Sequence, residues 1–227
     1  MTMVLGRPIW SALTTRHAAL AEGAGRARRY QPGILPFAAP ADDDPQALAD
    51  LAELARPGET LLFLQADPVV APAGFSVLTT APAVQMIAAA VPSPLPDDAI
   101  VPLGIADAEE MLALATLTKP GPFSLRSQEL GRFWGVRQGG RLVAMAGERM
   151  KQPGYTELSG VCTHPDHRGR GYARGLSLYV AARIIEGGDQ PYLHVYASNI
   201  AAIALYESIG FTLRCPMHVA ALQRPAD

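Results

Sequence analysis

The chain has 227 residues, 49% of them hydrophobic, and 19 Lys+Arg against 21 Asp+Glu give it a formal charge of -2. That is ample apolar material for a packed core, and without a block of like charges the chain lacks the basic face that nucleic-acid binding requires. The longest apolar stretches, such as 81–91, are too short and interrupted to span a bilayer. Two cysteines, Cys162 and Cys215, with no leader pattern before them, indicate neither secretion nor a disulfide framework. A cytoplasmic protein with a small-molecule partner is expected, with no nucleic acid and no membrane; a homodimer is left open.

In chain order, 9–22 and 45–55 read as helices, while 59–65 (ETLLFLQ) and 74–78 read as strands. Pro92, Pro94, Pro96 and Pro102, with Asp97 and Asp98 among them, favour neither helix nor central strand, because proline fixes φ and removes a donor. This predicts a linker over 96–102 between an N-terminal α/β domain, 1–95, and a second domain, 103–227. A helix follows over 106–117, broken by TKPGP at 118–122. RFWGVRQ (132–138) and RLVAMAGERM (141–150) flank Gly139-Gly140, a hairpin signal, and Gln152-Pro153-Gly154 leads into a third strand, 155–163. These runs make an antiparallel meander. A long helix then ends near Gly187-Gly188, followed by a strand over 192–197, a short helix over 201–208 closed by Gly210, and one or two strands over 211–222.

The most informative run is ELSGVCTHPDHRGRGYA, residues 157–173: a strand, a turn rich in Arg and Gly, and the start of the long helix. The first turn of a helix carries N–H groups without partners and the positive end of the macrodipole, so anions settle there. Gly169 and Gly171 let the backbone close on phosphate oxygens, and Arg168 and Arg170 add charge and donors. No G-x-x-x-x-G-K-[ST] is present, and no G-x-G-x-x-G sits at a strand-to-helix junction with a suitably placed acid, which argues against a nucleotide hydrolase.

Arg168-Gly169-Arg170-Gly171-Tyr172-Ala173 resembles the R/Q-x-x-G-x-G/A motif by which the GCN5-related N-acetyltransferases (GNAT) hold the pyrophosphate of acetyl-CoA. The wider run GVCTHPDHRGRGYA is similar to the FR47-like branch, itself similar to the C-terminal half of glycine N-acyltransferases. The resemblance covers roughly residues 103 to 222. It implies an α+β, three-layer acyl-CoA N-acyltransferase fold with a mixed, mostly antiparallel sheet. Residues 1–95 would then be a smaller α/β domain, with a degenerate copy of the same unit as one reading of it.

The resemblance also implies roles. The strand before the cradle splays from its neighbour, and the pantetheine arm enters between them by main-chain bonds, in the manner of β-augmentation. That assigns cofactor contacts to Val161, Cys162 and Thr163 and to Arg168, Gly169, Arg170, Gly171, Tyr172 and Ala173, with an N–H of the strand polarising the thioester carbonyl. Asn199 to Phe211 looks like N-x-x-A-x-x-x-Y-x-x-x-G-F. By that match Asn199 and Ala202 meet the cofactor, and Tyr206 both meets it and protonates the departing thiolate. The alternative for Tyr206 is a helix tyrosine packed under the last strands.

The attacking amine must be neutral, so a base is sought. Glu148 and Glu157 are the candidates; alternation places Glu157, Ser159 and Val161 on one face, and solvated strand positions paired with Arg149 or Lys151 are the alternative for both glutamates. Cys162 has no orienting base and reads as packing. Cys162, His164 and His167 lack zinc spacing, so no metal is expected, and His194 reads as a core histidine. The expected activity is acetyl-CoA-dependent N-acetyl transfer to an amine of a small molecule or amino acid. Transfer from a longer acyl-CoA to glycine or another amino acid, and a non-catalytic acyl-CoA-binding module, are the alternatives.

Overall fold

The computed structural model describes residues 3–88, 90–91 and 99–226; Pro92, Pro94, Pro96, Asp97 and Asp98 lie outside them. Helices α1 (Met3–Gly6) and α2 (Pro8–Leu13) come first, with Pro8 at a first-turn position where its missing N–H is not needed. The helix expected over 9–22 stops at Leu13. Thr14 and Thr15 turn their hydroxyls back onto the carbonyls of Trp10 and Ser11, and the chain continues as a turn. Strands β1 (Ala21–Glu22), β2 (Ala27–Tyr30) and β3 (Ala38–Pro40) form a small antiparallel sheet. Helix α3 (Pro45–Leu54) packs on it, N-capped by the Asp44 carboxylate, which accepts from the Gln46 N–H at 2.9 Å.

The remaining elements are β4 (Thr60–Gln65), β5 (Ser76–Ile87), β6 (Ile100–Leu103), α4 (Ala108–Thr118), β7 (Phe133–Gln138), β8 (Arg141–Gln152), β9 (Tyr155–Thr163), α5 (Tyr172–Glu186), β10 (Gln190–Tyr196), α6 (Ile200–Ser208) and β11 (Thr212–Gln223). Eight strands make one sheet in the order β4-β11-β5-β10-β9-β8-β7-β6. Only β9 and β10 run parallel in it, which is the mixed, mostly antiparallel sheet expected. Adjacent residues face opposite layers: Trp134 and Ala146 pack with α5 residues Leu176 and Val180, whereas Phe133 and Met145 pack with α4 residues Met111 and Leu114. Among the described residues, no helix is long and apolar enough to cross a membrane.

The boundary expected at 96–102 does not divide this sheet. β4 and β5 come from before it, yet β5 lies between β10 and β11 and hydrogen-bonds to both, so residues 1–95 are not a domain with a sheet of their own beyond the small three-stranded one. Pro102 likewise sits in β6, an edge strand, where a missing donor is tolerated. β5 also runs far past its expected end at Leu78, through Pro82. The Pro82 carbonyl accepts from Ala197 N–H just beyond the end of β10, so the proline nitrogen faces a side where no ladder donor is required.

His17 ties the N-terminal segment to the rest. Its Nε2 lies 3.1 Å from the Leu130 carbonyl, which can only accept, so Nε2 carries the proton and Nδ1 accepts from the Tyr30 hydroxyl at 2.8 Å. Burial, and then the charge of Lys151, hold its pKa down at about 4. Below the ordinary imidazole value of 6.5 the unfolded chain takes up a proton that the folded chain refuses. This contribution is therefore complete above pH 6.5 and lost as pH falls from 6.5 to 4, by about 3 kcal/mol. Denaturant melts across that range should show the loss in the native chain and a flatter dependence in His17→Gln. Equal slopes would refute the assignment.

Candidate active site

β9 and β10 are partners over three register positions only, from Gln190↔Tyr155 to Tyr192↔Glu157; beyond these, 158–163 and 193–196 are not paired to each other. Gly160 lies within this unpaired stretch. It has φ +65 and belongs to a bulge, the register against β8 passing from Gly147↔Ser159 to Met145↔Cys162. A Cβ there would sit 3.0 Å from the Phe133 ring. Past the bulge, His164 donates its N–H to the Val143 carbonyl at 2.7 Å. Alternation then turns the backbone of Cys162 toward β8 and leaves the N–H and C=O groups of Val161 and Thr163 facing the gap.

The extra residue also changes which side chains share a face. Leu158 and Val161 both pack on the α5 side, so Val161 is not on the face of Glu157 and Ser159 as simple alternation predicts. Cys162 points into the α4 layer among Leu103, Met111 and Met145, and burial pushes its thiol up to about 11. The cofactor contact expected of Cys162 is not supported: neither its side chain nor its N–H reaches the gap.

After β9, a short turn over Pro165–His167 leads to Arg168, Gly169, Arg170 and Gly171, all exposed. Gly169 and Gly171 have φ +75 and +81, and a Cβ at either would meet nothing within 4 Å, so the space beside the backbone is open. Gly171 precedes α5 without a side-chain cap, leaving the N–H groups of Tyr172, Ala173 and Arg174 for an outside acceptor. Arg168, Arg170 and Arg174 make no ion pair among the described residues. Nearby, Thr163 Oγ1 and His167 Nδ1 are buried without hydrogen-bond partners among the described residues. A diphosphate with an attached chain fits these groups.

A cavity of ≈ 200 Å³ crosses the sheet at the gap. Asn199, Ala202 and Tyr206 line it on the α5 side, and Phe37, Arg149 and His194 on the other. The Asn199 side chain accepts from Ala202 N–H at 3.2 Å as N-cap of α6, which fixes its carbonyl and leaves its amide N–H groups available. The Tyr206 hydroxyl has no partner among the described residues; burial, and then the charge of Glu157, push its pKa up to about 12, so the phenol stays protonated.

Glu148 and Glu157 are both engaged elsewhere. Glu157 is fully buried, takes two 2.7 Å bonds from Arg149 Nε and Nη2, and accepts from His194 Nδ1 at 2.7 Å. Burial alone would raise its pKa, but Arg149 and His194 outweigh that and hold it near 2. It does not line the cavity, and a carboxylate so held is a weak base. Glu148 lies opposite Leu158 on the α5 face, paired with Arg132 and Lys151, so it does not face the acceptor region either. His194 is not a free base: Nδ1–H goes to Glu157 and Nε2 accepts from Gln85 Nε2 at 2.9 Å, while burial lowers its pKa.

Residues 133–219 match the FR47-like protein family. Among solved structures, the chain is similar to a protein of the GNAT acetyltransferase family from Novosphingobium aromaticivorans DSM 12444, at 46% identity over 96% of this chain and 97% of that one, with TM-score 0.89. The chain belongs to the GNAT family. Its fold is shared with a GCN5-related N-acetyltransferase from Kribbella flavida, at 18% identity over 100% and 98% of the two chains, TM-score 0.64. No curated protein matches the chain. This GNAT acetyltransferase, of the FR47-like branch, differs from the sequence reading mainly in the far wall of its cavity. Phe37, Leu62, Leu64, Arg149 and Val219 come from three strands and a loop that no local motif joins.

Proposed function

We propose that the chain moves an acetyl group from acetyl-CoA directly to an amine of a small molecule or amino acid. The observation that carries this reading is the parting of β9 and β10 beyond Glu157, in a stretch that includes the Gly160 bulge, beside a helix N-terminus without a side-chain cap. Backbone groups of Val161 and Thr163 bind an extended pantetheine arm as an added strand would be bound, and residues 168–173 hold its diphosphate. The thioester supplies an activated acetyl carbonyl. An N–H of β9 in the gap stabilises the oxygen as it gains charge. As the amine nitrogen bonds to the carbonyl carbon and the C–S bond breaks, Tyr206 passes its proton to the sulfur. Among the described residues no aspartate or glutamate lines the cavity, and in this reading the amine proton leaves through water.

Two measurements test this. Acetyl-CoA at about a hundred times its Kd adds about 2.7 kcal/mol, roughly 5–11 °C in Tm for a domain of this size. Gly171→Asp, which puts a carboxylate in the cradle, should abolish the rise; no rise with the native chain would refute the cofactor assignment. With an acceptor in hand, log kcat/KM should climb with pH and level off at the pKa of that acceptor's own amine. A break that stays fixed when the acceptor is changed would place a base on the protein.

A further inference from the structure

The acceptor end of the cavity carries charge of one sign. Lys119 and Arg149 line it, and among the described residues no aspartate or glutamate does. Arg149 is held from two sides: Nε and Nη2 bond Glu157, and the guanidinium lies over Phe37 at 5.1 Å from the ring centroid. Its Nη1 is left with no hydrogen-bond partner among the described residues, on a fork whose direction is already fixed. Glu157 offsets one positive charge from behind, so the cavity side keeps an excess. A polycationic amine would be repelled there, and a carboxylate would complete the arginine's bonding. Phe37, Leu62, Leu64 and Val219 make the rest of that wall apolar.

Resting on the acyltransferase reading above, we propose that the acceptor is an α-amino acid with a free carboxylate and an apolar side chain. The carboxylate is set against Arg149 and Lys119, the side chain lies among Phe37, Leu62, Leu64 and Val219, and the amine is directed to the gap. The reaction balances as amino acid plus acetyl-CoA giving N-acetyl amino acid plus CoA thiol. The nitrogen forms one C–N bond and releases one proton to water, the C–S bond breaks, and the sulfur gains the Tyr206 proton, which solvent restores.

The test is thiol release by the full chain with acetyl-CoA and three matched acceptors, leucine, leucinamide and 3-methylbutylamine, followed by the twenty amino acids. Leucine should exceed the amide and the amine in kcat/KM by roughly tenfold to a hundredfold, the range of a charge-assisted hydrogen bond. Arg149→Lys, which still pairs Glu157 but lacks the fork, should collapse the leucine-to-leucinamide ratio while acetyl-CoA still raises Tm. Lys119→Gln, at an exposed position, should narrow that ratio without unfolding the chain. Amide or amine matching the acid overturns the proposal. So does acetyl-CoA stabilisation with no turnover of any amino acid, an outcome that leaves the acyl-CoA reading standing; failure of acetyl-CoA to bind removes both.

Discussion

Glu157→Gln should lower stability by about 3–5 kcal/mol, the usual consequence of removing one partner from a buried ion pair, and so lower Tm by roughly 6–20 °C. The loss arises because Arg149 would keep its charge without its carboxylate partner, and the amide NH2 replacing one carboxylate oxygen would face a donor, Arg149 Nε at one position or Arg149 Nη2 and His194 Nδ1 at the other. The pH dependence has a definite sign. The folded carboxyl titrates near 2 against an ordinary 4.5, so its contribution is complete above pH 4.5 and is lost as pH falls toward 2. Thermal melts of the two chains between pH 7 and pH 3 should therefore converge at the acid end. A general base at this position would behave otherwise: the variant would keep its Tm and lose its rate, with the pH profile displaced.

Tyr206→Phe should reduce kcat by about a hundredfold to ten-thousandfold, the span of a lost general acid, and leave Tm nearly unchanged. Stability is expected to hold because the hydroxyl has no partner among the described residues and its loss strands no buried group. The ring meets Phe211 edge-on with centroids 6.0 Å apart, a contact that phenylalanine preserves. Burst and steady-state thiol release distinguish the step affected. A variant that retained native kcat would make Tyr206 a packing residue and move leaving-group protonation to solvent.

What could be read from the sequence was what neighbours along the chain decide. The cradle at 168–173 needs only a strand end, two glycines and a helix start, all contiguous, and the meander over 132–163 follows from two turn signals. Tyr206 and Asn199 came from one helix and its cap. The misplaced residues all depend on longer range or on broken periods. Gly160 inserts a residue into β9 and shifts Val161 to the other face, while Glu148, opposite Leu158, lies on the face away from Glu157. The extension of β5 through Pro82 depends on where β10 ends. Arg149, Glu157 and His194 lie on three strands, so only the folded sheet shows that the glutamate neutralises an arginine rather than an amine.

The insertion of β5 between β10 and β11 sets an order of events during synthesis. Ile87 is paired with Tyr192 and Thr212, partners translated roughly a hundred residues later, so an early-made segment carries unsatisfied edges until those residues have been made. Closure of this sheet is thus expected to wait for β10 and β11 and to be slow. The nascent chain should need protection from self-association over the stretch containing Val77 and Leu78, which remain half exposed even in the finished molecule, at 55% and 52%.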